Sequence, residues 1–509
     1  MKSIFATKEH VKIFGRTLQE KDCLWLIHSA SGIEFSVSTS ELSFTLLGDC
    51  TSRTSRGQDG SLNMNLARYA IYVDGKRTIT GSMDEEEKTV TVFSGSQKKN
   101  AVITFIKLTE SSQSYMAIKT VNASDDAVLV PTKEKPFKIE FIGDSITCGY
   151  GVEGKSASEL FTTQTEDATK AYAYLTAKAL DADWSIVGFS GFGVVSGWTD
   201  TGDHNPVQLV PDYYEKFCFS WNTDMFKERL WNFSLFRPQL VVTNLGTNDD
   251  SYTRDDSSKQ EEYVSHYVDF IKQVRSHNPE SHILLALGIM TGGQRLVPFM
   301  HKAAQSYSVQ TGDKNISTYA FAAQTAQEGF GADSHPSEAT QMRCAKEFTA
   351  HIRKLIADGR VVTSQTDSIP LRELAQKALD MLSYSYSPYS NYTVGAALLA
   401  DDGKIFTGCN IENVAFGPSN CAERTAFFKA VSEGRRNFKA IAIAGGPNGK
   451  PVDYCTPCGV CRQVMVEFCS RDFLVIMAKT ADDFKIKTLE ELLPESFKPE
   501  EQVGQSSVR

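Results

Sequence analysis

No stretch of this chain approaches the roughly 20 consecutive apolar residues that a membrane-spanning helix needs. Met1 to His10 holds no apolar run of the kind that directs secretion, so the expectation is a cytoplasmic protein. Positive charge is in deficit. The 53 Lys and Arg face 62 Asp and Glu, a net charge of −9, which argues against nucleic acid or anionic membranes as partners. A disulfide framework is missing too: the 11 cysteines are odd in number, and Cys23, Cys50, Cys148, Cys218 and Cys344 stand isolated. The sequons at Asn122, Asn232, Asn315 and Asn391 carry little weight without a secretory leader. No internal repeat is visible.

At 509 residues the chain is too long for one ordinary core, and 41% hydrophobic with 23% charged residues is the composition of folded globular domains. Three segments follow one another. Residues 1–133 alternate polar and apolar in short runs, among them Leu24–Ile27, Ile33–Val37, Tyr69–Val73, Thr89–Phe93 and Val102–Ile106, with Asp74-Gly75 as a hairpin signal. This pattern predicts an antiparallel β-sandwich of the jelly-roll sort. From 134 to 357 strand and helix patterns alternate. Tyr263, Tyr267, Phe270, Ile271 and Val274 recur at helical spacing, and Ile283–Leu287 is a continuous apolar run of the buried parallel-strand kind. An α/β layered domain is predicted there. Residues 358–369 form a polar linker, 370–497 a second α/β domain, and 498–509 a polar tail.

The last domain collects the remaining cysteines: Cys409, Cys421, Cys455, Cys458, Cys461 and Cys469. Such crowding reads as metal binding before disulfides. A catalytic zinc needs three protein ligands and one open position, and Cys421, Cys458 and Cys461 can supply the three. Pro457 before Cys458-x-x-Cys461 predicts a helix start, where one turn brings both sulfurs to the same end and helix-terminal N–H groups favour thiolates. Cys421 opens a second helical run, Glu423 to Val431. Deamination of cytosine needs a carboxylate to carry a proton from the attacking water to the ring and then to the leaving amine. Glu423, two residues after a ligand, is placed for that. Arg424 follows and can donate hydrogen bonds to the sulfurs. A closed structural zinc site is the alternative, since Cys455 offers a fourth thiolate; it has no use for Glu423. Cys409 and Cys469 read as core residues.

Several further motifs accompany these: Pro388-Tyr389-Ser390, Val394–Leu398, Gly408-Cys409-Asn410-Ile411-Glu412-Asn413, Cys421-Ala422-Glu423-Arg424-Thr425, Pro457–Gln463 and Leu492-Leu493-Pro494. Together they resemble the small homotetrameric cytidine deaminases across the whole third domain. The resemblance implies Zn²⁺ as cofactor, cytidine or deoxycytidine as the nucleoside substrate, a role in pyrimidine salvage, and a tetramer formed through this domain. It also implies that Asn410 and Glu412 hold the ribose hydroxyls and that Tyr392 lies against the pyrimidine.

In the middle segment Gly143-Asp144-Ser145 follows a strand, Ser190-Gly191-Phe192-Gly193 a second, Gly246-Thr247-Asn248-Asp249 a third, and His335-Pro336 precedes the last helix. Ester hydrolysis needs a nucleophile, a base and oxyanion donors. Ser145, His335, the Gly191 or Gly193 N–H and the Asn248 amide fill those roles, at the strand ends where open α/β sheets place ligands. The ordered set resembles the SGNH hydrolases, and with a jelly roll ahead of it, the acetyl xylan esterase-like carbohydrate esterases, implying an acetylated carbohydrate as substrate. The common SGNH pattern has Asp three positions before His, where this chain has Ala332; Asp333 is two before. Either the Asp333 carboxylate or a backbone carbonyl therefore orients His335. The sequence thus predicts a cytidine deaminase fused to an SGNH acetyl esterase. The alternative is a deaminase carrying an inactive hydrolase fold that binds carbohydrate through a groove of Trp198, Trp221 or Trp231. The other histidines, His28, His266, His277, His282 and His301, read as surface or helix-face residues.

Overall fold

Strands of alternating burial build the N-terminal sheet. In the computed structural model, which describes residues 1–48, 54–56, 62–221, 223–363, 369–415, 417–471, 473–494 and 496, the two longest are β1 (Gly32–Gly48) and, further on, a strand that spans both Thr89–Phe93 and Val102–Ile106. Between them lie β2 (Arg68–Val73) and β3 (Lys76–Ser82); the long strand is β4 (Glu87–Lys107). β4 pairs antiparallel with β1, and register shifts at Thr91/Phe93 and Ser94/Lys99 let the pair bend. The bend brings Phe35, Phe44 and Phe105 together inside the fold. Asp74-Gly75 closes β2 onto β3 as read from the sequence, with φ of 51° and 77° at the two turn residues. Next comes β5 (Met116–Ala123), paired with β1.

Five parallel strands form the second layer: β6 (Lys138–Gly143), β7 (Asp183–Gly188), β8 (Leu240–Asn244), β9 (His282–Leu287) and β10 (Ile316–Ala320), in the order β7-β6-β8-β9-β10. The chain runs from β6 to β7 on one side and places β8 on the other. The carboxyl end of β6 is therefore a switch point, and Gly143-Asp144-Ser145 leaves the sheet there. Helix α1 (Ser257–His277) packs Tyr263, Tyr267, Phe270, Ile271 and Val274 inward as their spacing predicts, and α2 (Glu338–Ala357) closes the layer.

The sheet and the α/β layers share a core cluster and belong to one compact unit, residues 1–364. Phe14, Ala30, Ile106 and Leu108 cluster with Ile139, Phe141 and Trp184, and the Phe14 and Trp184 rings stack at 4.3 Å. Arg16, fully buried, reaches Glu140 at 3.2 Å and the Tyr214 carbonyl at 2.6 Å; the Tyr214 hydroxyl donates to the other Glu140 oxygen at 3.0 Å. Three side chains depart from the sequence reading. His28 and His282 are buried rather than superficial, each held by a hydrogen bond, and Trp231 packs into a core cluster with Phe217 instead of lining a groove.

The second unit, residues 365–509, folds on a five-stranded sheet of β11 (Tyr392–Ala400), β12 (Ile405–Cys409), β13 (Phe438–Pro447), β14 (Leu474–Ala478) and β15 (Phe484–Thr488), ordered β12-β11-β13-β14-β15. Helix α3 (Leu371–Asp380) covers one face, with Leu374, Ala375 and Ala378 against Ala397 and Leu399. α4 (Ala422–Ser432) and α5 (Gly459–Phe468) cover the other, with Ala426 and Met465 against Ala396 and Leu398. Cys409 and Cys469 are buried, as expected of core residues. Residues 364–368 of the expected linker, the tail 498–509 and Cys50 lie outside the described residues.

All five tryptophans fall in the first unit, so their fluorescence follows its unfolding alone. Glu140→Leu leaves the Arg16 guanidinium buried without its carboxylate and is expected to lower the urea stability of this unit by about 3–5 kcal/mol. Combining it with Arg16→Met should recover most of that loss; an unchanged midpoint in the single variant would show that the pair does not hold sheet to layer.

Candidate active sites

The hydrolase site begins at the switch point. Ser145 opens a short helix, Ser145–Cys148, capped by Asp144, whose Oδ1 accepts the Ile146 N–H at 3.0 Å. Gly143 has no alternative here, because a Cβ would sit 2.1 Å from the Thr147 hydroxyl. The His335 ring meets the serine from the loop before α2, with Nε2 2.9 Å from Ser145 Oγ. Its Nδ1 lies 3.0 Å from the Asp333 backbone carbonyl. A carbonyl can only accept, so Nδ1 carries the hydrogen and Nε2 is left as the base facing the hydroxyl.

The sequence leaves the orienting group open and counts Asp333 among the catalytic residues; its carboxylate does not reach the imidazole. Asp333 and Ser334 adopt φ of 49° and 60°, a left-handed pair that swings the carbonyl of 333 to the ring. The carboxylate turns away and accepts from the Tyr150 hydroxyl at 2.9 Å and the Phe161 N–H at 3.3 Å. Tyr150 in turn stacks on Phe161 and packs against the imidazole. Its signal in the sequence is the Gly149-Tyr150-Gly151 run after the serine. Burial pushes His335 down to about 4, opposed by the Asp333 carbonyl, so the ring is neutral at pH 7.

The two glycines differ in their hydrogen bonds. Gly193 donates its N–H to the Gln208 carbonyl at 3.0 Å. The Gly191 N–H has no acceptor among the described residues, its φ is +85°, and it lines the cleft beside Ser145. Asn248 Nδ2 donates to the Phe192 carbonyl at 2.8 Å and faces Asp144 Oδ2 at a looser 3.3 Å. An oxyanion takes this amide only if the longer contact yields. Asp249, part of the third strand-end motif but without a role assigned from sequence, holds the same turn: its Oδ1 accepts the N–H groups of Val194, Val195 and Ser196 at 2.8, 2.7 and 3.1 Å. The cleft measures about 960 Å³, with Trp198 and Trp221 exposed along it.

In the second unit two helix N-termini converge. Cys421 is the N-cap of α4 and Cys458 that of α5, with Cys461 in the first turn. Their sulfurs all lie within 4.8 Å of one another, with Cys421 to Cys458 at 3.8 Å and Cys458 to Cys461 at 3.6 Å. Zinc–sulfur bonds of about 2.3 Å in a tetrahedron require sulfurs about 3.8 Å apart, so the donor set fits zinc. Cys455 is not in this cluster; it is half-buried, and burial pushes its thiol up to about 11. That speaks against a closed four-cysteine site. Hydrogen bonds from Cys461 and then Arg424 hold Cys421 below the usual thiol range, with the Arg424 guanidinium 3.8 Å from the Cys421 sulfur. Glu423, in the first turn of α4, is 4% exposed, and burial pushes its carboxyl up to about 7.

Asn410 and Glu412 follow β12 and organise the loop ahead of β11. The Asn410 amide accepts from Ser385 Oγ at 2.5 Å and Val394 N–H at 2.7 Å, and donates to the Tyr392 carbonyl at 2.9 Å. Glu412 accepts the N–H groups of Tyr389 and Ser390 at 2.9 and 3.2 Å. Ile411 exchanges backbone hydrogen bonds with Asn420, next to Cys421, which ties this loop to the cysteine site. Tyr392 is partly exposed at the start of β11.

Three protein families match successive parts of the chain: the N-terminal family of carbohydrate esterase 2 over 13–132, the GDSL-like lipase/acylhydrolase family over 141–343, and the cytidine and deoxycytidylate deaminase zinc-binding region over 370–477. A cytidine deaminase of Sporosarcina psychrophila is 52% identical over 117 residues, 23% of this chain and 83% of that protein. The cellulase/esterase CelE of Acetivibrio thermocellus is 32% identical over 292 residues, 56% of this chain; the chain spans 34% of CelE, about a third. Among solved structures, a family two carbohydrate esterase from Clostridium thermocellum in complex with cellohexaose aligns at 28% identity with a TM-score of 0.59, covering 68% of this chain and 99% of that one. By its second unit the chain belongs to the cytidine deaminase family, and ahead of that unit it carries a carbohydrate esterase region of the family two and GDSL-like kind.

Proposed function

We propose that the second unit removes the amino group of cytidine or deoxycytidine by hydrolysis, giving uridine or deoxyuridine and ammonia. The observation that carries this reading is the convergence of three sulfurs within 4.8 Å beside a buried acid, Glu423. Zinc held by Cys421, Cys458 and Cys461 supplies Lewis-acid activation of water near neutral pH. Glu423 carries one proton of the attacking water to the ring nitrogen, where it stays in the uridine, and the second, from the new C4 hydroxyl, to the departing amine; a carboxyl group raised by burial is suited to both directions of transfer. Arg424 draws charge from Cys421. Asn410 and Glu412 hold the ribose hydroxyls, and their bonds to 385–394 also shape the loop that presents Tyr392 to the pyrimidine. The unit assembles as a homotetramer, a reading supported by exposed Phe428, Val460, Val414 and Ile411. Its place is pyrimidine salvage in the cytoplasm. Among the described residues no helix is long and apolar enough to cross a membrane.

The first unit acts as an acetyl esterase on a carbohydrate. Ser145 attacks the acetyl carbonyl while His335 takes its proton; His335 then returns the proton to the departing sugar hydroxyl, and water releases acetate from the acyl-serine. The Gly191 N–H and the Asn248 amide receive the oxyanion. Asp333 serves through its backbone carbonyl, making Ser145–His335 a dyad. Trp198 and Trp221 offer aromatic faces to the sugar. The 2.9 Å contact between His335 and Ser145 favours this over an inactive sugar-binding module.

Glu423→Ala is expected to lower cytidine turnover by at least about 10²–10⁴-fold, the range for a general acid–base, while metal analysis still finds bound zinc; loss of the zinc as well would remove Glu423 from the proton-transfer role. Ser145→Ala should abolish p-nitrophenyl acetate hydrolysis, and equal rates in the two proteins would end the esterase reading. His335 must be neutral to act as base and its pKa is depressed to about 4. Parental kcat/KM for the ester should therefore hold down to about pH 5 and fall only as pH drops through 4. An acid limb at the ordinary histidine value near 6.5 would contradict this.

A further inference from the structure

A side chain from the segment that joins two strands of the N-terminal sheet reaches the edge of the hydrolase site. Residues 108–115, between β4 and β5, are buried throughout, and Glu110 among them exposes no surface. Its Oε2 accepts the backbone N–H of Ser190 at 2.9 Å, and Ser190 immediately precedes Gly191. Residue 110 is itself clamped from both sides. Its N–H donates to Glu166 Oε1 at 2.9 Å, and its carbonyl accepts from Lys107 Nζ at 3.1 Å. Both clamping side chains are fully buried. Burial, with the nearby Glu110 carboxyl, pushes Glu166 well above the usual carboxylate range.

Packing alone gives no reason for an acid here. Glu110 Oε1 is buried without a partner among the described residues, and an unsatisfied buried oxygen of this kind costs about 1–3 kcal/mol. A leucine would fill the space without that cost. What the carboxyl group does accomplish is to fix one turn of backbone. Gly191, with φ of +85°, lines the cleft and has no side chain to hold it, so the direction of its N–H depends on the orientation of the preceding peptide.

We propose that Glu110 is a positioning residue for ester hydrolysis: it anchors the Ser190 N–H and so aims the Gly191 N–H at the oxygen that gains negative charge as Ser145 attacks. The inference rests on the esterase reading above. It makes a connection between strands of the N-terminal sheet part of the catalytic apparatus rather than an accessory to it. Losing an oxyanion donor outright costs about 10²–10³ in kcat; losing its aim costs less.

The test compares the full chain with Glu110→Ala, Glu110→Gln and Glu110→Met. With p-nitrophenyl acetate, Ala and Met, which lack an acceptor, are expected to lose about 10–100-fold in kcat, within the ceiling set by a lost donor, with KM changed less than twofold. Gln keeps an acceptor oxygen and should retain most of kcat. Met preserves the volume should Ala fail to fold. Hydrogen exchange of the peptide covering 189–192 provides a readout independent of turnover: it should speed up in Ala and Met and not in Gln. Parental kcat in Ala or Met, a change confined to KM, or unaltered exchange at 189–192 would overturn the proposal. Failure of the esterase reading is seen separately, as equal hydrolysis by the parent and Ser145→Ala, and the exchange result then still decides whether Glu110 anchors the turn.

Discussion

Three sulfurs within 4.8 Å of one another are a constraint that the rest of the second unit has to satisfy. As thiolates they repel, and a fold that gathers them must supply compensating positive charge. Two helices do so by starting at the same place: α4 and α5 begin at Cys421 and Cys458, and both lie on one face of the sheet, with Ala426 and Met465 against Ala396 and Leu398. The packing sets where the helices start, and the helix starts set where the sulfurs meet. Arg424 adds a guanidinium at 3.8 Å, and a divalent cation completes the balance.

Burial shifts one ionisable group at each of the two sites, in opposite directions: the acid toward neutral pH, the imidazole away from it. Removal from water disfavours the charged form, so the Glu423 acid rises to about 7 and the His335 base falls to about 4. The carbonyl that orients His335 costs no second buried charge, unlike a carboxylate. The left-handed φ values at Asp333 and Ser334 are the strain accepted for that arrangement.

Much of this is legible in the amino-acid sequence. The cysteine spacing and the acid at Glu423 follow from local geometry, since one helical turn relates Cys458 to Cys461 and two residues relate Cys421 to Glu423. Asp74-Gly75 and the α1 face are equally local. What sequence reasoning misses is non-local or depends on backbone conformation. That the Asp333 carbonyl and not its carboxylate meets the ring turns on two positive φ values that no side-chain identity announces. His28, His282 and Trp231 look superficial by residue type, yet neighbours far away in sequence bury them. The difference between Gly191 and Gly193 lies in which N–H already has an acceptor, Gln208 in the latter case. Glu110 lies in a connection between strands with no motif, and its link to Ser190 spans 80 positions.

The central claim, that the gathered cysteines and Glu423 form a working deaminase within this longer chain, is tested most directly by following the ultraviolet absorbance of cytidine incubated with the zinc-loaded, full-length protein. The account predicts loss of the cytidine band and appearance of uridine in proportion to enzyme. Unchanged cytidine in the presence of folded protein with zinc bound would contradict it.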